Sequence, residues 1–268
     1  MSAAIGSLTG KTMGSGGGKL FVVGLGPGRA DWIVPEAALA VESAEDIIGY
    51  GPYVARIAPR QGQSVHATDN RVEISRARHA LELAQAGRRV AVVSGGDPGV
   101  FAMAAAVFEA IEQGPQAWRA LDVEVIPGVS AMLAAAARLG APLGHDFCAI
   151  SLSDNLKPWE IIAKRLRAAS EADFVITLYN PASKARPERI FEAFALVRSI
   201  KRAETVVIFA RNVGRPNEHL HITTLGEAEV AKIDMSTLVI IGSSETRLIA
   251  REGQTPWVLT PRNYGVRP

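Results

Sequence analysis

The segment VSGGDPGVFAMAAA, from Val93 to Ala106, places a glycine-rich bend between two apolar stretches. The residues before the bend, in RRVAVVSGG, are apolar without polar alternation, which is typical of a strand that is buried on both faces. The residues after it, in FAMAAAVFEAIEQ, form a longer amphipathic stretch that predicts a helix. A strand, a glycine bend and a helix in this order are one half of a βαβ unit.

The same alternation of strand-like and helix-like stretches continues along the chain. The first half contains KLFVVGLG, PEAALAVESA, EDIIGY, SRARHALELAQAG, LDVEVIPG and SAMLAAAARLG. After a break at APLGHD, the second half contains FCAISLS, PWEIIAKRLRAASEA, DFVITLYNP, RPERIFEAFALVRSI, TVVIFARN and STLVIIGSS. This rhythm predicts an α/β protein with two domains, each a mainly parallel or mixed sheet flanked by helices. The expected boundaries are a flexible N-terminal tail at 1–18, an N-terminal domain at 19–142, a C-terminal domain at 143–249 and a C-terminal tail at 250–268.

Composition narrows the classes of partner and compartment. The chain has 268 residues, 48% of them hydrophobic, and its 29 basic and 27 acidic residues give a net charge of +2. No global positive field is available for a nucleic acid, so no nucleic-acid partner is expected. The single cysteine, Cys148, favours a reducing compartment, and the expected location is the cytoplasm. No apolar run approaches the roughly 20 residues of a membrane span, so no membrane partner is expected.

Three glycine bends follow predicted strands of the first half. They are GLGPG at Gly24–Gly28, GGDPG at Gly95–Gly99, and Pro127-Gly128. The carboxyl ends of parallel strands lie at one edge of a sheet, and open α/β sheets bind ligands at that edge. A dinucleotide-binding GxGxxG motif would need a glycine at the position of Arg29, and Pro27 removes an amide donor, so the spacing counts against NAD.

Two further motifs have simpler explanations. Ser130 in IPGVSA lies between a strand and a helix, but a nucleophile elbow would require a glycine at Met132, so Ser130 is predicted to cap the helix. His219 and His221 share a strand face without a third ligand nearby, so no metal site is predicted.

The glycine bends, together with IPGVSA and LYNP at Leu178–Pro181, resemble in order and spacing the tetrapyrrole methyltransferases of corrin biosynthesis. The resemblance covers about residues 19–247. It implies the two-domain class III methyltransferase fold and S-adenosyl-L-methionine as methyl donor, with S-adenosyl-L-homocysteine as product. One departure is Val34, where the family usually has threonine, so no contact is assigned to that position.

Four further stretches resemble the subgroup that methylates precorrin-3B at C17 and contracts the macrocycle to precorrin-4 in cobalamin biosynthesis. They are IIGYGPYV at Ile47–Val54, GHDFCAISLSD at Gly144–Asp154, YNPASKARP at Tyr179–Pro187 and ARNVGRPNE at Ala210–Glu218. The shared donor motifs leave two alternatives open, a cobalt-precorrin-3 C17-methyltransferase of the anaerobic pathway and another corrin-ring methyltransferase. Alternatives of other classes are a ligand-binding module that has lost catalysis and a serine hydrolase that uses Ser130.

The resemblance also implies site residues and a homodimer. The residues expected to bind the methyl donor at the domain junction are Pro27, Gly28, Gly95, Gly96, Asp97, Val100, Phe101, Ser130, Ala131, Tyr179, Asn180, Ala210 and Thr237. A tetrapyrrole carries many carboxylates, and the residues expected to bind it are Tyr50, Tyr53, Lys184, Arg186, Arg211, Asn212 and Arg215. Ring contraction needs a positioned acid or base, for which the candidates are His145, Asp146 and Asp97.

Overall fold

The computed structural model describes residues 18–70, 72–182 and 186–263, and residue contacts divide the chain into two compact units. The first unit comprises the described residues of Met1–Gly24, Pro35–Ser94 and Ala102–Pro127. The second comprises Leu25–Val34, Gly95–Phe101 and the described residues of Gly128–Pro268. The units are therefore built from interleaved segments, whereas the predicted boundaries divide the chain once, near residue 143.

The first unit is a parallel sheet of five strands in the order β3-β2-β4-β1-β5. The strands are β1 (Lys19–Gly24), β2 (Asp46–Tyr50), β3 (Ser64–Thr68), β4 (Arg89–Ser94) and β5 (Asp122–Ile126). The helices are α1 (Pro35–Ser43), α2 (Gly51–Val54), α3 (Glu73–Gln85) and α4 (Met103–Gln113).

The central strands of this sheet are apolar because helices cover both faces. Leu20 and Val22 of β1 and Val90 and Val92 of β4 are fully buried and pack in one core with residues of α3 and α4. Full burial of such a side chain contributes about 1.5–3 kcal/mol. Because β4, β1 and β5 are adjacent and parallel, the three glycine bends leave the sheet at the same edge, as the sequence predicts.

The second unit contains a mixed sheet of five strands in the order β10-β9-β11-β8-β7 and a three-stranded sheet in the order β12-β13-β6. The strands are β6 (Gly140–Ala141), β7 (Phe147–Ser151), β8 (Val175–Tyr179), β9 (Val206–Arg211), β10 (His219–Thr224), β11 (Thr237–Ile241), β12 (Arg247–Ile249) and β13 (Trp257–Leu259). The helices are α5 (Ala131–Leu139), α6 (Trp159–Glu171) and α7 (Arg189–Arg198). With parallel and mixed sheets flanked by helices, the predicted α/β class is confirmed.

Alternation along β9 directs side chains into two cores. Val207 and Phe209 belong to a core with α6 and α7, whereas Ile208 and Ala210 belong to a core with α5. Helix α5 falls within the predicted N-terminal domain 19–142, yet its buried side chains pack on the sheet of the second unit. The apolar face of α5 thus decides which unit it joins.

The C-terminal segment after residue 249 was expected to be a tail, but part of it is paired. Strand β13 pairs with β12 and with β6, and Val258 is fully buried. The Thr260 hydroxyl donates to the Pro142 carbonyl over 2.6 Å. None of the helices in the described ranges has the length and apolar character of a membrane span.

Candidate active site

Three loops follow the adjacent strands β1, β4 and β5, and all three belong to the second unit. We define loop 1 as Leu25–Val34, loop 2 as Gly95–Phe101 and loop 3 as Gly128–Ser130. They contain most of the residues of the first half that are expected to bind the methyl donor.

A pair of backbone hydrogen bonds joins loop 1 to loop 2. The Gly26 amide donates to the Gly96 carbonyl over 3.1 Å, and the Gly96 amide donates to the Gly26 carbonyl over 2.9 Å. Both residues have positive φ, +63° and +77°, which glycine adopts without strain. A Cβ at Gly96 would meet its nearest neighbours, in loop 3, at 3.9 and 4.0 Å, which is ordinary van der Waals contact.

The Asp97 carboxylate joins loop 2 to loop 3. Its Oδ1 accepts a hydrogen bond from the Gly99 amide over 2.8 Å, and its Oδ2 accepts one from the Gly128 amide over 3.0 Å. Such charge-assisted bonds are about twice as strong as neutral ones. Both oxygens therefore hold loop backbone in place.

Loop 3 ends at the helix cap that the sequence predicts. Ser130 is the N-cap of α5, and its Oγ accepts a hydrogen bond from the Leu133 amide over 3.4 Å. The Tyr179 hydroxyl accepts a hydrogen bond from the Met132 amide over 3.1 Å. Burial raises the pKa of Tyr179 above its ordinary value, although its bonds to Met132 and Ser130 act in the opposite direction. The phenol is therefore protonated at neutral pH.

An aromatic pair connects loop 2 to β8. The rings of Phe101 and Tyr179 have centroids 5.3 Å apart, and Phe101 is 49% exposed. The backbone of Phe101 has φ +52°, which for a non-glycine residue costs roughly 1–2 kcal/mol. Strained backbone of this kind accumulates at functional sites. Among the described residues, the other non-glycine residues with positive φ are Asp173, Asn180 and Asn212.

The second sheet brings the remaining donor-binding candidates to one edge. Tyr179 ends β8, Asn180 follows it, and the Asn180 amide group donates to Ser151 Oγ at the end of β7 over 2.9 Å. Strands β9 and β11 pair Leu238 with Ala210, so Ala210 and Thr237 lie at this same edge. Ala210 is buried, and the Thr237 hydroxyl donates to Asp234 over 2.9 Å. Of the remaining candidates, Val100 is a half-buried residue of loop 2, and Ala131 is the first residue of α5.

His145 and Asp146 lie at the opposite edge of that sheet. They precede β7, and the Asp146 carbonyl accepts a hydrogen bond from the amide of Val175 at the start of β8. Strand β7 has five residues, so about 13 Å separates its two ends. The His145 ring is 3.6 Å from the Asp146 carboxylate, whose side chain is 81% exposed. Of the three acid–base candidates, the structure places Asp97 alone in the loops.

The arginines that were expected to bind substrate have partners within the chain. Arg186 lies 3.2 Å from Asp154, Arg211 lies 2.8 Å from Asp234, and Arg215 donates to a loop 1 carbonyl. All three contacts join residues of the second unit.

The other substrate-binding candidates are distributed as follows. Asn212 precedes a tight turn in which its carbonyl accepts from the Arg215 amide over 2.9 Å. Lys184 lies outside the described residues. Tyr50 and Tyr53 belong to the first unit, where their rings meet edge to face at 5.4 Å at the carboxyl end of β2.

Charged side chains surround Trp32 in an arrangement that the sequence does not predict. Arg138 and Arg29 lie over the Trp32 ring, with their guanidinium carbons 4.8 and 5.5 Å from its centroid, and Glu218 is 3.1 Å from Arg138. Arg29, Arg138 and Glu218 are far apart in the sequence, so no local sequence pattern indicates such a cluster.

In the described ranges, His, Cys, Asp and Glu side chains form no group of three or more that could hold a metal ion.

A sequence model of the Tetrapyrrole (Corrin/Porphyrin) Methylases matches residues 19–229. The chain belongs to this family. As a member of the tetrapyrrole methylases it is a methyltransferase, and the predicted family and enzyme class are confirmed.

Two relatives match this chain over nearly their full length. The chain is 58% identical over 247 residues to a precorrin-3B C(17)-methyltransferase of Sinorhizobium sp., which covers 92% of this chain and 97% of the relative. It is 44% identical over 248 residues to a probable cobalt-factor III C(17)-methyltransferase of Salmonella typhimurium, which covers 91% of this chain and 99% of the relative.

Solved structures show the same fold. The crystal structure of the methyltransferase CobJ superposes with a TM-score of 0.87 at 52% identity and covers 91% of this chain and 100% of that one. Uroporphyrin-III C-methyl transferase from Thermus thermophilus, in complex with S-adenyl homocysteine, superposes with a TM-score of 0.62 at 22% identity, over 84% and 97% of the two chains. The latter similarity concerns the fold alone.

Replacing Asp97 with alanine tests the connection between loops 2 and 3. Because the Gly99 and Gly128 amides lose their acceptor, we expect faster hydrogen exchange in peptides that cover these residues. We also expect a loss of unfolding free energy of about 2 kcal/mol, the scale of a hydrogen bond to a charged group. Exchange mass spectrometry and urea titration measure the two effects. Glu204→Ala, which removes a surface partner of Arg202, is the control; equal exchange in both variants would contradict the role of Asp97.

Proposed function

We propose that this tetrapyrrole methylase transfers a methyl group from S-adenosyl-L-methionine to C17 of precorrin-3B and contracts the ring to precorrin-4 in cobalamin biosynthesis. The observation that carries the proposal is 58% identity, over nearly the full length of both chains, to a protein named for the C17 methylation of precorrin-3B. The structure of the methyltransferase CobJ, at 52% identity and a TM-score of 0.87, supports the methyl-transfer part of the proposal.

The loops have features that fit a compact nucleotide sulfonium donor. Gly95 and Gly96 present backbone without side chains, and a Cβ at Gly96 would touch loop 3 only at van der Waals distance. Phe101 and Val100 offer apolar surface next to this backbone, since one is half-exposed and the other half-buried. When bound, the donor supplies an electrophilic methyl group.

The residues of the chain would act mainly by binding and orientation. Methyl transfer to carbon disperses charge, so alignment and exclusion of water contribute more than a strong acid or base. Loops 1 to 3 would hold the donor through their backbone, and Phe101 would exclude water from one side. On the second sheet, Tyr179, Asn180, Ala210 and Thr237 would complete the donor site, because they share one edge.

Ring contraction requires a proton to leave a hydroxyl group while a carbon bond migrates, so a positioned acid or base is needed in addition. Of the expected candidates His145, Asp146 and Asp97, we propose Asp97. Asp97 lies in loop 2, whereas His145 and Asp146 lie at the amino end of β7, so we favour the loops as the site of proton transfer. Asp97 already accepts two amide hydrogen bonds, which leaves its remaining lone pairs for such a role.

Substrate carboxylates would be bound by the hydroxyl and basic groups named above. We propose that Tyr50, Tyr53, Arg186, Arg211 and Asn212 contribute, with Lys184. The relative from Salmonella, named for a cobalt-factor III substrate, is less similar at 44% identity, so a metal-free substrate is the first choice.

We also propose that the chain forms a homodimer in the cytoplasm. Phe108, an aromatic side chain on helix α4 that is 51% exposed, would be covered by the partner copy and supports an interface there. The small net charge of +2 gives no support to a nucleic-acid partner.

Incubation with S-adenosyl-L-methionine and metal-free precorrin-3B tests the proposal, with mass and optical spectra of the product as readout. We expect a gain of one methyl group together with the spectrum of a ring-contracted product. Parallel incubation with the cobalt-containing substrate decides between the two C17 reactions.

The other outcomes each remove a part of the proposal. A methyl gain without ring contraction would contradict the second half of the reaction. Binding of S-adenosyl-L-homocysteine without turnover of either tetrapyrrole would indicate a binding module instead. Covalent labelling of Ser130 by a fluorophosphonate probe would favour a hydrolase.

His145→Ala tests whether the amino end of β7 takes part in the chemistry. Because this histidine lies about 20 Å along the chain of β7 from the edge that holds Tyr179, we expect turnover to stay within about two-fold of wild type. Single-turnover rates with precorrin-3B at neutral pH give the answer. A loss of 100-fold or more, the usual contribution of general acid–base catalysis, at unchanged donor affinity would assign the proton transfer to His145.

A further inference from the structure

The turn between β9 and β10, residues 212–218, packs directly against loop 1. We call it the 212–218 turn. Arg215 Nε donates a hydrogen bond to the Pro27 carbonyl over 3.1 Å, although the two residues are 188 positions apart in the chain. Both belong to the second unit. This bond is the first of three contacts that fix the path of loop 1.

The second contact is a close approach of two glycines. A Cβ at Gly28 would lie 2.2 Å from the Gly214 carbonyl oxygen and 2.8 Å from Arg215 Cγ. No side chain fits at position 28 unless the turn moves, because real Cβ atoms do not approach backbone that closely. Gly28, the last glycine of GLGPG, is therefore required by its contact with the turn, whether or not a ligand binds.

The third contact places Trp32 on the turn. Gly214 has φ +74°, and a Cβ there would lie 2.7 Å from the Trp32 ring. Glu218 accepts a hydrogen bond from the Gly214 amide over 2.6 Å and pairs with Arg138 over 3.1 Å, and Arg138 lies over the same Trp32 ring. The turn, α5 and loop 1 are thus joined through one tryptophan.

These contacts extend to loop 2. Loop 1 carries Pro27 and Gly28 and forms the Gly26–Gly96 backbone pair, so a shift of the 212–218 turn would be transmitted to the backbone at Gly96. Arg215 is exposed, but its Nε donates to loop 1 and the carbon stem of its side chain lies against loop 1.

We propose that the 212–218 turn is a positioning element for loop 1, and that Arg215 acts through the Pro27 carbonyl on the methyl-donor site instead of binding tetrapyrrole carboxylates. The donor part of this inference rests on the proposed function. The positioning part does not, because it concerns the conformation of loop 1 in the protein alone. Arg215 is then a positioning residue and differs in role from Arg186 and Arg211.

The test compares Arg215→Met with Arg202→Met. Methionine retains an apolar stem but lacks the Nε donor, and Arg202 is a surface arginine that pairs with Glu204 away from loop 1. For Arg215→Met we expect faster hydrogen exchange in peptides covering 25–34. We also expect a Kd for S-adenosyl-L-homocysteine, measured by calorimetry, that is raised roughly ten-fold, as the loss of one hydrogen bond from a charged donor implies. The KM for the tetrapyrrole should stay within about two-fold of wild type. Arg202→Met should show neither change.

Gly214→Ala provides a second variant with the same expected change in hydrogen exchange and in the Kd for S-adenosyl-L-homocysteine, because its methyl group would displace Trp32. Thermal melting confirms that each variant is folded before the comparison is made. A ten-fold rise in the KM for the tetrapyrrole at unchanged donor affinity would overturn the inference and assign Arg215 to the substrate. If the wild-type protein fails to bind S-adenosyl-L-homocysteine, the proposed function fails, whereas the exchange data still decide the positioning role: unchanged exchange in residues 25–34 would overturn it.

Discussion

The site depends on the hydrogen bonds that join three loops, each of which follows a different parallel strand. Two backbone bonds between Gly26 and Gly96 connect loops 1 and 2, and the Asp97 carboxylate connects loop 2 to the Gly128 amide of loop 3. Parallel strands place the loops at one edge, but they do not fix the loop conformations. The cross-loop bonds do so, and the backbone of these loops is the surface on which we propose that the methyl donor binds.

The sequence predicts the parts of this arrangement that have local causes. Unbroken apolar strands and amphipathic helices indicate the α/β class, and the glycines of GLGPG and GGDPG mark bends at strand ends, where positive φ is needed. Ser130 is predicted as a helix cap from its position before an apolar run and is found in that role. These features depend on residues within a few positions of one another.

Features that depend on distant pairing could not be predicted in the same way. The sequence gives no sign that α5 packs on the second sheet, that the two-residue strand β6 pairs with β13, or that His145 precedes the strand end opposite Tyr179. The contact between Arg215 and Pro27 spans most of the chain, so Arg215 was expected to bind substrate from its motif alone. The proposed reaction is inferred from the resemblance to the family, whereas the contacts of these side chains are seen only in the structure.

The central claim is that the three joined loops form the binding site of the methyl donor. A crystal structure of the protein with S-adenosyl-L-homocysteine tests it most directly. The account predicts that the nucleotide contacts the backbone of Gly95 and Gly96 and lies against Phe101, with the Gly26–Gly96 pair and the Asp97 bond to Gly128 intact. A nucleotide bound away from these loops, or loops that separate when it binds, would contradict the account.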